Sequence, residues 1–442
     1  MKKYLLLILI LLSLALSVVI GVSAPSQETS KSLAVAKITP VDDAWRAALP
    51  RDPEAATQAY MARLSPAAIE RSDAYFEGGY WLQWHNFALA TAIALLLLWS
   101  KTLVHFRERL EKRIKNNWLL NALTVAYYTV LTTLLSMPLT VYQGFYREKH
   151  YGMSNMALGA WFGEQMMQLM LAVLFGAIAF ATLYVALKRA PKTWWAWGAG
   201  LSVGFMTLML LIAPTYIDPL FNKYTPITDA KIKDPIMSMM RANGVPTDNI
   251  YQFNASKQTT RISANVSGIF GSASVRLNDN LLNRTTLPEI KAVLGHELGH
   301  YVLNHIYKML LAFAFILVIG FALVQWGMNA SLARWGQTWQ LKSVSDIGSL
   351  PLLMTLFAAY MTLATPLTNT MIRVNEVEAD IFGLNASGEA MGFAEVNLSL
   401  TEYRKSNPSD LEEFLFFDHP SPRKRIYSAM RWRAEHMPAE SK

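Results

Sequence analysis

Long apolar segments separated by short polar ones dominate the chain. A transmembrane helix needs about 20 apolar residues, and six segments reach that length. A seventh run, residues 4–22, follows Lys2 and Lys3. The pattern predicts a mainly α-helical, multi-pass membrane protein of about seven transmembrane helices. The six segments cover residues 86–104, 118–142, 165–187, 194–217, 309–328 and 350–372.

The beginning of the chain allows two interpretations. Residues 1–24 are predicted to be a signal peptide or the first transmembrane helix. Val22-Ser23-Ala24 resembles a signal-peptidase site, but Pro25 would follow the cut and hinder it, which favours an uncleaved helix. Residues 25–80 are polar without a strong periodicity, so we expect a linker with some helix outside the membrane.

Two polar blocks accompany the apolar segments. Within the first block, residues 229–243 have the pattern of an amphipathic helix, and residues 249–253 and 274–278 have that of strands. We therefore expect a small α/β insert, and a mostly helical second block at the end. The predicted division is 1–24, 25–80, 81–217, 218–308, 309–372 and 373–442.

Composition narrows the class of protein further. Only 16% of the residues are charged, whereas soluble domains carry about 25%, which again indicates a membrane protein. The absence of cysteine excludes disulfides, a thiol nucleophile and cysteine-ligated metal. The net charge of +8 comes from basic residues next to apolar segments, so it predicts membrane orientation and no nucleic-acid partner.

One helix carries the clearest chemical signal, the sequence H-E-x-x-H at residues 296–300. Thr286, Pro288 and Glu289 form a helix start signal, and we expect the helix to run from Leu287 to His305. Residues four apart lie on one helix face, so two imidazoles can hold one zinc ion and the adjacent glutamate can act as a general base. Two glycines in this helix predict the close approach of another segment to the zinc-binding face. The residues concerned are His296 and His300 as ligands, Glu297 as base, and Gly295 and Gly299.

A third zinc ligand is predicted on the segment after the last apolar run. Hydrolytic zinc sites use three protein ligands and keep a position open for water. Glu376 is the candidate ligand, and Asp380, one turn later, can accept the N–H of a ligating histidine. Glu378 lies about 200° around the helix from Glu376, so both cannot face the zinc.

Five ordered blocks of sequence resemble the type I CAAX prenyl proteases, a family of membrane-embedded zinc metallopeptidases. The blocks cover most of the chain after residue 130, whereas residues 24–80 are covered poorly. They are Tyr142…Glu148-Lys149-His150-Tyr151-Gly152, Tyr216-Ile217…Pro219-Leu220-Phe221-Asn222-Lys223-Tyr224-Thr225-Pro226, Val293 to His300, Arg373…Glu376…Ala379-Asp380, and Asp418-His419-Pro420…Arg425-Ile426.

This resemblance implies further roles. It implies that His419 and Arg425 stabilise the charged tetrahedral intermediate. It also implies that the strand at 274–278, with Val275 and Leu277, is a sheet edge that pairs with an extended substrate near Asn265. The fold implied is seven helices around a water-filled chamber, with a small α/β zinc-metallopeptidase insert.

The function expected is hydrolysis of peptide bonds by a zinc-activated water, with one Zn²⁺ and with Glu297 as the base. The substrate is a peptide or a membrane protein, and it is prenylated if the resemblance extends that far. One alternative is a membrane quality-control protease without prenyl specificity. A transporter and a catalytically inactive scaffold are alternatives from other classes of protein.

The charge distribution predicts how the chain lies in the bilayer. The loops at 101–115 and 188–192 are rich in lysine and arginine and should be cytoplasmic, as should Lys2 and Lys3. The N-terminus is typical of a bacterial protein, so we expect the inner membrane. Counting segments then places the H-E-x-x-H helix outside the cytoplasm, whereas the eukaryotic members of the family have the opposite arrangement.

Overall fold

The computed structural model describes residues 38–437 apart from 40, 246 and 268–272, and it is mainly helical. The apolar run at 4–22 lies outside the described residues. In chain order the helices are α1 (Asp43–Ala47), α2 (Pro53–Met61), α3 (Pro66–Trp99), α4 (Thr102–Glu111), α5 (Asn117–Val141), α6 (Arg147–His150), α7 (Leu158–Arg189), α8 (Trp194–Ile212), α9 (Asp218–Phe221), α10 (Ala230–Ala242), α11 (Asp279–Arg284), α12 (Leu287–Val302), α13 (His305–Trp339), α14 (Leu350–Ser387), α15 (Ala390–Leu400), α16 (Asp410–Phe416) and α17 (Pro422–His436).

Six helical stretches within the described residues are long and apolar enough to cross a membrane, which confirms the predicted multi-pass architecture. Helices α3, α7, α13 and α14 form four of them. In the other two, α5 and α8 continue through the π-helical turns Tyr142–Tyr146 and Ala213–Ile217 into α6 and α9. Many large apolar side chains on these helices are exposed, as expected for helices that contact lipid; Leu363 is 80% exposed. Helices α3, α5, α7 and α14 line a cavity of about 500 Å³.

Several of these helices extend well beyond their apolar segments. The predicted bounds of the first span, 86–104, are wrong at both ends: α3 begins at Pro66 after the capping residue Ser65 and ends at Trp99. The chain turns at Lys101, whose φ of 58° ends the helix. A helix does not stop where its side chains become polar, because its backbone hydrogen bonds are internal. For the same reason α14 carries its apolar segment directly into the predicted third ligand, Glu376.

A four-stranded sheet lies between α8 and α12 in the sequence, with the order β1-β2-β4-β3. Strands β2 and β4 are parallel, and the outer pairs, β1 with β2 and β3 with β4, are antiparallel. The strands are β1 (Tyr224–Pro226), β2 (Ile250–Phe253), β3 (Ala264–Ser267) and β4 (Ser274–Asn278).

The prediction that residues 274–278 form the sheet edge is wrong. Strand β4 pairs on both sides, and within the described residues β3 and β1 are the two edge strands. Val275 and Leu277 are fully buried in one core with Leu294 and Leu298 of α12, so they cannot contact a substrate. The alternation that identified this strand correctly indicated one buried face, but alternation carries no information about which strands pair with which.

The described part of residues 25–80 is packed against the C-terminal block and is not a linker. Tyr60 of α2 is fully buried in a core that also contains Ala292, Phe393 and Ile426. Arg63 donates to Glu395 of α15 at 2.6 Å, and both side chains are largely buried. Short helices with few large apolar residues leave a weak periodic pattern, which is why the sequence did not indicate this packing.

Helices α12 and α14 cross with their backbones almost in contact. A Cβ atom added to Gly295 would lie 2.8 Å from the carbonyl oxygen of Gly383, and one added to Gly299 would lie 2.9 Å from Cα of Ala379. The predicted close approach at both glycines is therefore confirmed. It brings the H-E-x-x-H face of α12 directly against the turns of α14 around Glu376.

The helix of the H-E-x-x-H motif ends earlier than predicted. Its last residue is Val302, and Asn304 adopts a left-handed conformation with φ of 57° before α13 begins at His305. Asparagine tolerates this conformation better than most residues. The reversal places His305 beside His300, although the predicted continuous helix would have separated them.

The crossing generates a prediction about stability. Gly295→Ala should lower the free energy of unfolding by about 1–3 kcal/mol, because the added methyl group meets backbone that cannot move aside. The measurement is the midpoint of thermal unfolding in detergent. Gly200→Ala on α8 is the control, because a Cβ atom there meets nothing within 4 Å. Equal midpoints for the two variants would contradict the tight crossing.

Candidate metal centre and active site

Three side chains converge where α12 crosses α14. Nε2 of His296 and Nε2 of His300 lie 3.1 Å apart. The Glu376 carboxylate reaches both, at 3.2 Å from His296 and 3.3 Å from His300. Their ligand atoms all lie within 4.8 Å of one another. The i, i+4 spacing sets the first pair, and the helix crossing adds the carboxylate.

The donor set fits a metal ion. Ligand atoms on a tetrahedral ion with bonds of about 2.0–2.1 Å lie about 3.3 Å apart, which agrees with the three separations. Oε2 of Glu376 is buried and has no hydrogen-bond partner among the described residues, as expected for an oxygen that binds a cation. Two imidazoles and one carboxylate leave a fourth position open for water.

Asp380 and Arg425 form a charged layer behind His296. Oδ1 of Asp380 accepts from Nδ1 of His296 at 2.7 Å, which leaves Nε2 free to bind a metal. Arg425 donates to both oxygens of Asp380, with Nε at 2.9 Å from Oδ2. Both charged side chains are almost fully buried, and each compensates the other. Arg425, expected from the resemblance to act on an intermediate, is thus engaged by Asp380, although it also lines the cavity that contains Glu297.

A second hydrogen-bonded chain, which the sequence did not indicate, lies behind His300. Nδ1 of His300 and Nδ1 of the buried His305 are 2.8 Å apart, and Nε2 of His305 lies 3.1 Å from Oε2 of Glu378. If His300 binds a metal through Nε2, its Nδ1–H donates to His305, which in turn donates to Glu378. Lys308 donates to the same Glu378 oxygen at 2.7 Å. Glu378 was expected only to point away from the metal. It instead contacts His305, which is the hydrogen-bond partner of the predicted ligand His300.

Glu297 lies beside the predicted ligands and faces a cavity of about 160 Å³. Burial raises the pKa of its carboxyl, although the neighbouring His296 and His300 lower it. A carboxylate with raised proton affinity suits a general base. The position of Glu297 on α12 and its exposure to the cavity leave it able to reach a bound water.

His419 lines the same cavity from the opposite side. Its Nε2 lies 3.3 Å from Oε2 of Glu376, and its Nδ1 donates to Asp418 at 2.7 Å. Burial lowers the pKa of His419, whereas the bond to Asp418 raises it. The carboxylate of Asp418 orients the ring with Nε2 toward the metal site. The neighbouring position of Asp418 in the D-H-P sequence was the only available signal for this role.

The predicted substrate-binding residues separate into two groups. The edge strand β3, which contains Asn265, runs beside α12, and Ile262, Ser263 and Ala264 line the 160 Å³ cavity. Oδ1 of Asn265 is buried without a hydrogen-bond partner among the described residues. Val275 and Leu277 lie in the core instead.

Comparisons with known proteins agree with this architecture. A family model described as peptidase family M48 matches residues 226–433, and one described as the CAAX prenyl protease N-terminal region with five membrane helices matches residues 50–223. The crystal structure of S. mikatae Ste24p is similar in fold, with a TM-score of 0.70 and 21% sequence identity over 95% of this chain and 98% of that one.

Two relatives illustrate the range of the similarity. The uncharacterized metalloprotease YhfN of Bacillus subtilis is 27% identical over 368 residues, which is 83% of this chain and 86% of that protein. CAAX prenyl protease 1 of Saccharomyces cerevisiae is 34% identical over 185 residues. That second match spans 41% of this chain and only 40% of the yeast enzyme.

The chain behind His300 generates a prediction about metal affinity. His305→Leu should weaken Zn²⁺ binding about 10–100-fold, because His300 loses the acceptor that fixes its ring and tautomer. Affinity is measured by competition with a chelating dye in detergent. His305→Gln, whose amide oxygen can accept from His300, should recover part of the affinity. The control is His105→Leu, which changes an exposed residue of α4 and should leave the affinity unchanged. Unchanged affinity in His305→Leu as well would exclude a positioning role for His305.

Proposed function

We propose that the chain is a membrane-embedded zinc endopeptidase of peptidase family M48, whose family model matches residues 226–433. The observation that carries the proposal is the convergence of His296, His300 and Glu376 on one point beside Glu297. That family implies a metal, and the nitrogen and oxygen donors, in a chain without cysteine, favour zinc. We assign those three residues as the ligands of one Zn²⁺.

The catalytic roles follow from the side chains around that point. The zinc ion, when bound, supplies an acidified water and polarises the scissile carbonyl. Glu297 takes a proton from the attacking water at a carboxylate oxygen and delivers it to the nitrogen of the leaving amine. Asp380 and His305 hold the rings of His296 and His300, so the ligands keep their geometry while the charge at the site changes.

Stabilisation of the oxyanion is assigned to His419, with Arg425 in support. His419 in its protonated form donates from Nε2, and Asp418 keeps the ring oriented through Nδ1–H. Two donors of Arg425 are engaged by Asp380, so Arg425 acts mainly by its charge and by fixing Asp380. We therefore expect His419 to matter more for the rate and Arg425 more for the assembled site.

The substrate is proposed to bind as an extended strand along β3. The outer edge of β3 has unpaired backbone groups beside the cavity that contains Glu297, and an extended peptide can pair with them. The unpartnered amide oxygen of Asn265 can accept a hydrogen bond from such a peptide. Main-chain pairing gives affinity without strict sequence selection, which suits a protease with several substrates.

The class of substrate is a peptide or a membrane protein, and we include prenylated peptides because named relatives are CAAX prenyl proteases. A quality-control protease without prenyl specificity is the second candidate, and main-chain recognition along β3 favours it. A transporter or an inactive scaffold is not favoured, because a structural zinc site is normally closed by four protein ligands. Here three ligand side chains converge, with Glu297 next to them.

The location proposed is the inner membrane of a bacterium, with the catalytic side facing away from the cytoplasm. This orientation rests on the basic loops at 101–115 and 188–192. One span, 194–217, separates the loop at 188–192 from the block that contains the H-E-x-x-H helix, so the side of the active site follows from these loops without the run at 4–22.

Loss of the general base tests the proposed chemistry. Glu297→Gln should reduce hydrolysis about 10²–10⁴-fold, because the amide cannot accept the proton of the attacking water. Purified protein is assayed on two peptides of one sequence, one farnesylated and one not, with and without a zinc chelator. Zinc content is measured in parallel and should be unchanged in the variant.

The outcomes of this assay separate the candidates. Cutting of both peptides indicates a general membrane endopeptidase, and cutting of the farnesylated peptide alone indicates prenyl specificity. Full activity of Glu297→Gln, or activity that survives complete removal of zinc, would contradict the proposed mechanism.

Orientation in the membrane has its own test. The charge distribution predicts that the C-terminal block lies outside the cytoplasm. A reporter that works only after export should therefore be active when it is fused after Lys442. An alkaline phosphatase fusion, which requires export, is compared with a fusion of a cytoplasmic fluorescent protein at the same residue. A cytoplasmic signal would overturn the predicted count of spans.

A further inference from the structure

The side chain of Arg404 lines the candidate active-site cavity without a hydrogen bond or ion pair to any described residue, and we propose that it binds a carboxylate of the substrate. The inference rests on the proposed peptidase function and deepens it. It assigns a specificity-determining residue and predicts that peptides with an anionic group next to the scissile bond are preferred.

The position of Arg404 is set by the turn after α15. Its backbone N–H donates to the carbonyl of Leu400 at 3.1 Å, which continues the last turn of the helix. Its side chain makes no hydrogen bond or ion pair with any residue between 38 and 437 that the structure describes. The side chain lines two adjoining cavities, the one of about 160 Å³ that contains Glu297 and another of about 360 Å³.

The two cavities are neighbours and share lining residues. Tyr403, Arg404 and His419 line both of them, so a peptide with its scissile bond beside Glu297 can continue into the larger cavity. One extended residue covers about 3.3 Å, so groups one or two residues from the scissile bond come within reach of Arg404. The larger cavity also has aromatic walls, which include Phe76, Tyr80 and Phe417.

The other arginines that line these cavities already have partners. Arg425 is bound to Asp380. Arg261 donates to Glu148 at 2.7 Å, and Arg147 lies over the ring of Tyr75 and donates to its backbone carbonyl. On the acidic side, Asp418 is held by His419. Among the described lining residues, Arg404 is therefore the arginine whose guanidinium makes no hydrogen bond or ion pair with a carboxylate, and Asp418 and Glu376 act on it only through their longer-range charge.

A partly buried cation of this kind favours an anionic ligand. Burial and the nearby Arg425 lower the pKa of Arg404, but arginine keeps its proton at physiological pH. The planar guanidinium pairs with a carboxylate through two parallel hydrogen bonds, which are among the stronger protein hydrogen bonds. In a peptide this carboxylate is either the α-carboxylate of the last residue or an Asp or Glu side chain.

The test compares peptides that differ only in that charge. A peptide with a free C-terminal carboxylate two residues beyond the scissile bond is compared with its C-terminal amide. For the wild-type protein we expect the KM of the free acid to be about 10–100-fold lower. Arg404→Gln should abolish this difference by raising the KM of the free acid, with little change in kcat, and Arg404→Lys should restore part of it.

A third peptide separates the two sources of the carboxylate. It is amidated at the C-terminus and carries Glu in place of Gln at the residue after the scissile bond. A low KM for this peptide assigns the site to acidic side chains, and a KM equal to that of the plain amide assigns it to the terminal carboxylate. Arg431→Gln, which removes a mostly exposed arginine of α17, is the control and should leave all three KM values unchanged.

Two results would overturn the inference. Equal losses on acid and amide peptides in Arg404→Gln would mean a structural role, and a loss confined to kcat would mean an action on the oxyanion.

If wild-type protein cuts none of the peptides, the proposed peptidase function fails, and binding of the same fluorescent peptides to the zinc-loaded protein is measured instead. Tighter binding of the acid that disappears in Arg404→Gln still supports the anion site, and equal binding of acid and amide rejects it.

Discussion

The close crossing of α12 and α14 is the constraint on which the site depends. A metal ligand set drawn from two helices requires their backbones to approach more closely than ordinary side chains allow, and Gly295, Gly299 and Gly383 make that approach possible. Each glycine in a helix interior costs about 1 kcal/mol relative to alanine. The crossing that these glycines permit brings the carboxylate of Glu376 to the two imidazoles of α12.

Around this crossing, the side chains behind the two ligating histidines are arranged as charged pairs. Asp380 with Arg425 lies behind His296, and His305 with Glu378 and Lys308 lies behind His300. Buried charges stabilise a structure only when they are paired, so these layers hold the ligands in one orientation. Arg404 departs from this rule at the mouth of the site, where a substrate can supply the missing charge.

The same helices serve the membrane and the chemistry. Helix α14 begins as an apolar membrane segment and continues without interruption to Glu376 and Asp380, and α13 begins at His305 and continues as a membrane segment. The site is therefore held by elements anchored in the bilayer, and its geometry does not rely on flexible connections.

By itself the sequence determined the apolar spans, the paired histidines and the candidate carboxylate Glu376, because helix periodicity and residue spacing are local properties. It also indicated that β4 has a buried face. Only the tertiary structure decided that β3 is an edge strand, that α2 shares a core with α12, that His305 turns back onto His300, and that Arg404 makes no hydrogen bond or ion pair with a described residue. These features depend on contacts between segments far apart in the chain. Such contacts leave no periodic signal in the sequence, because each needs only one polar or small residue in each of the two segments.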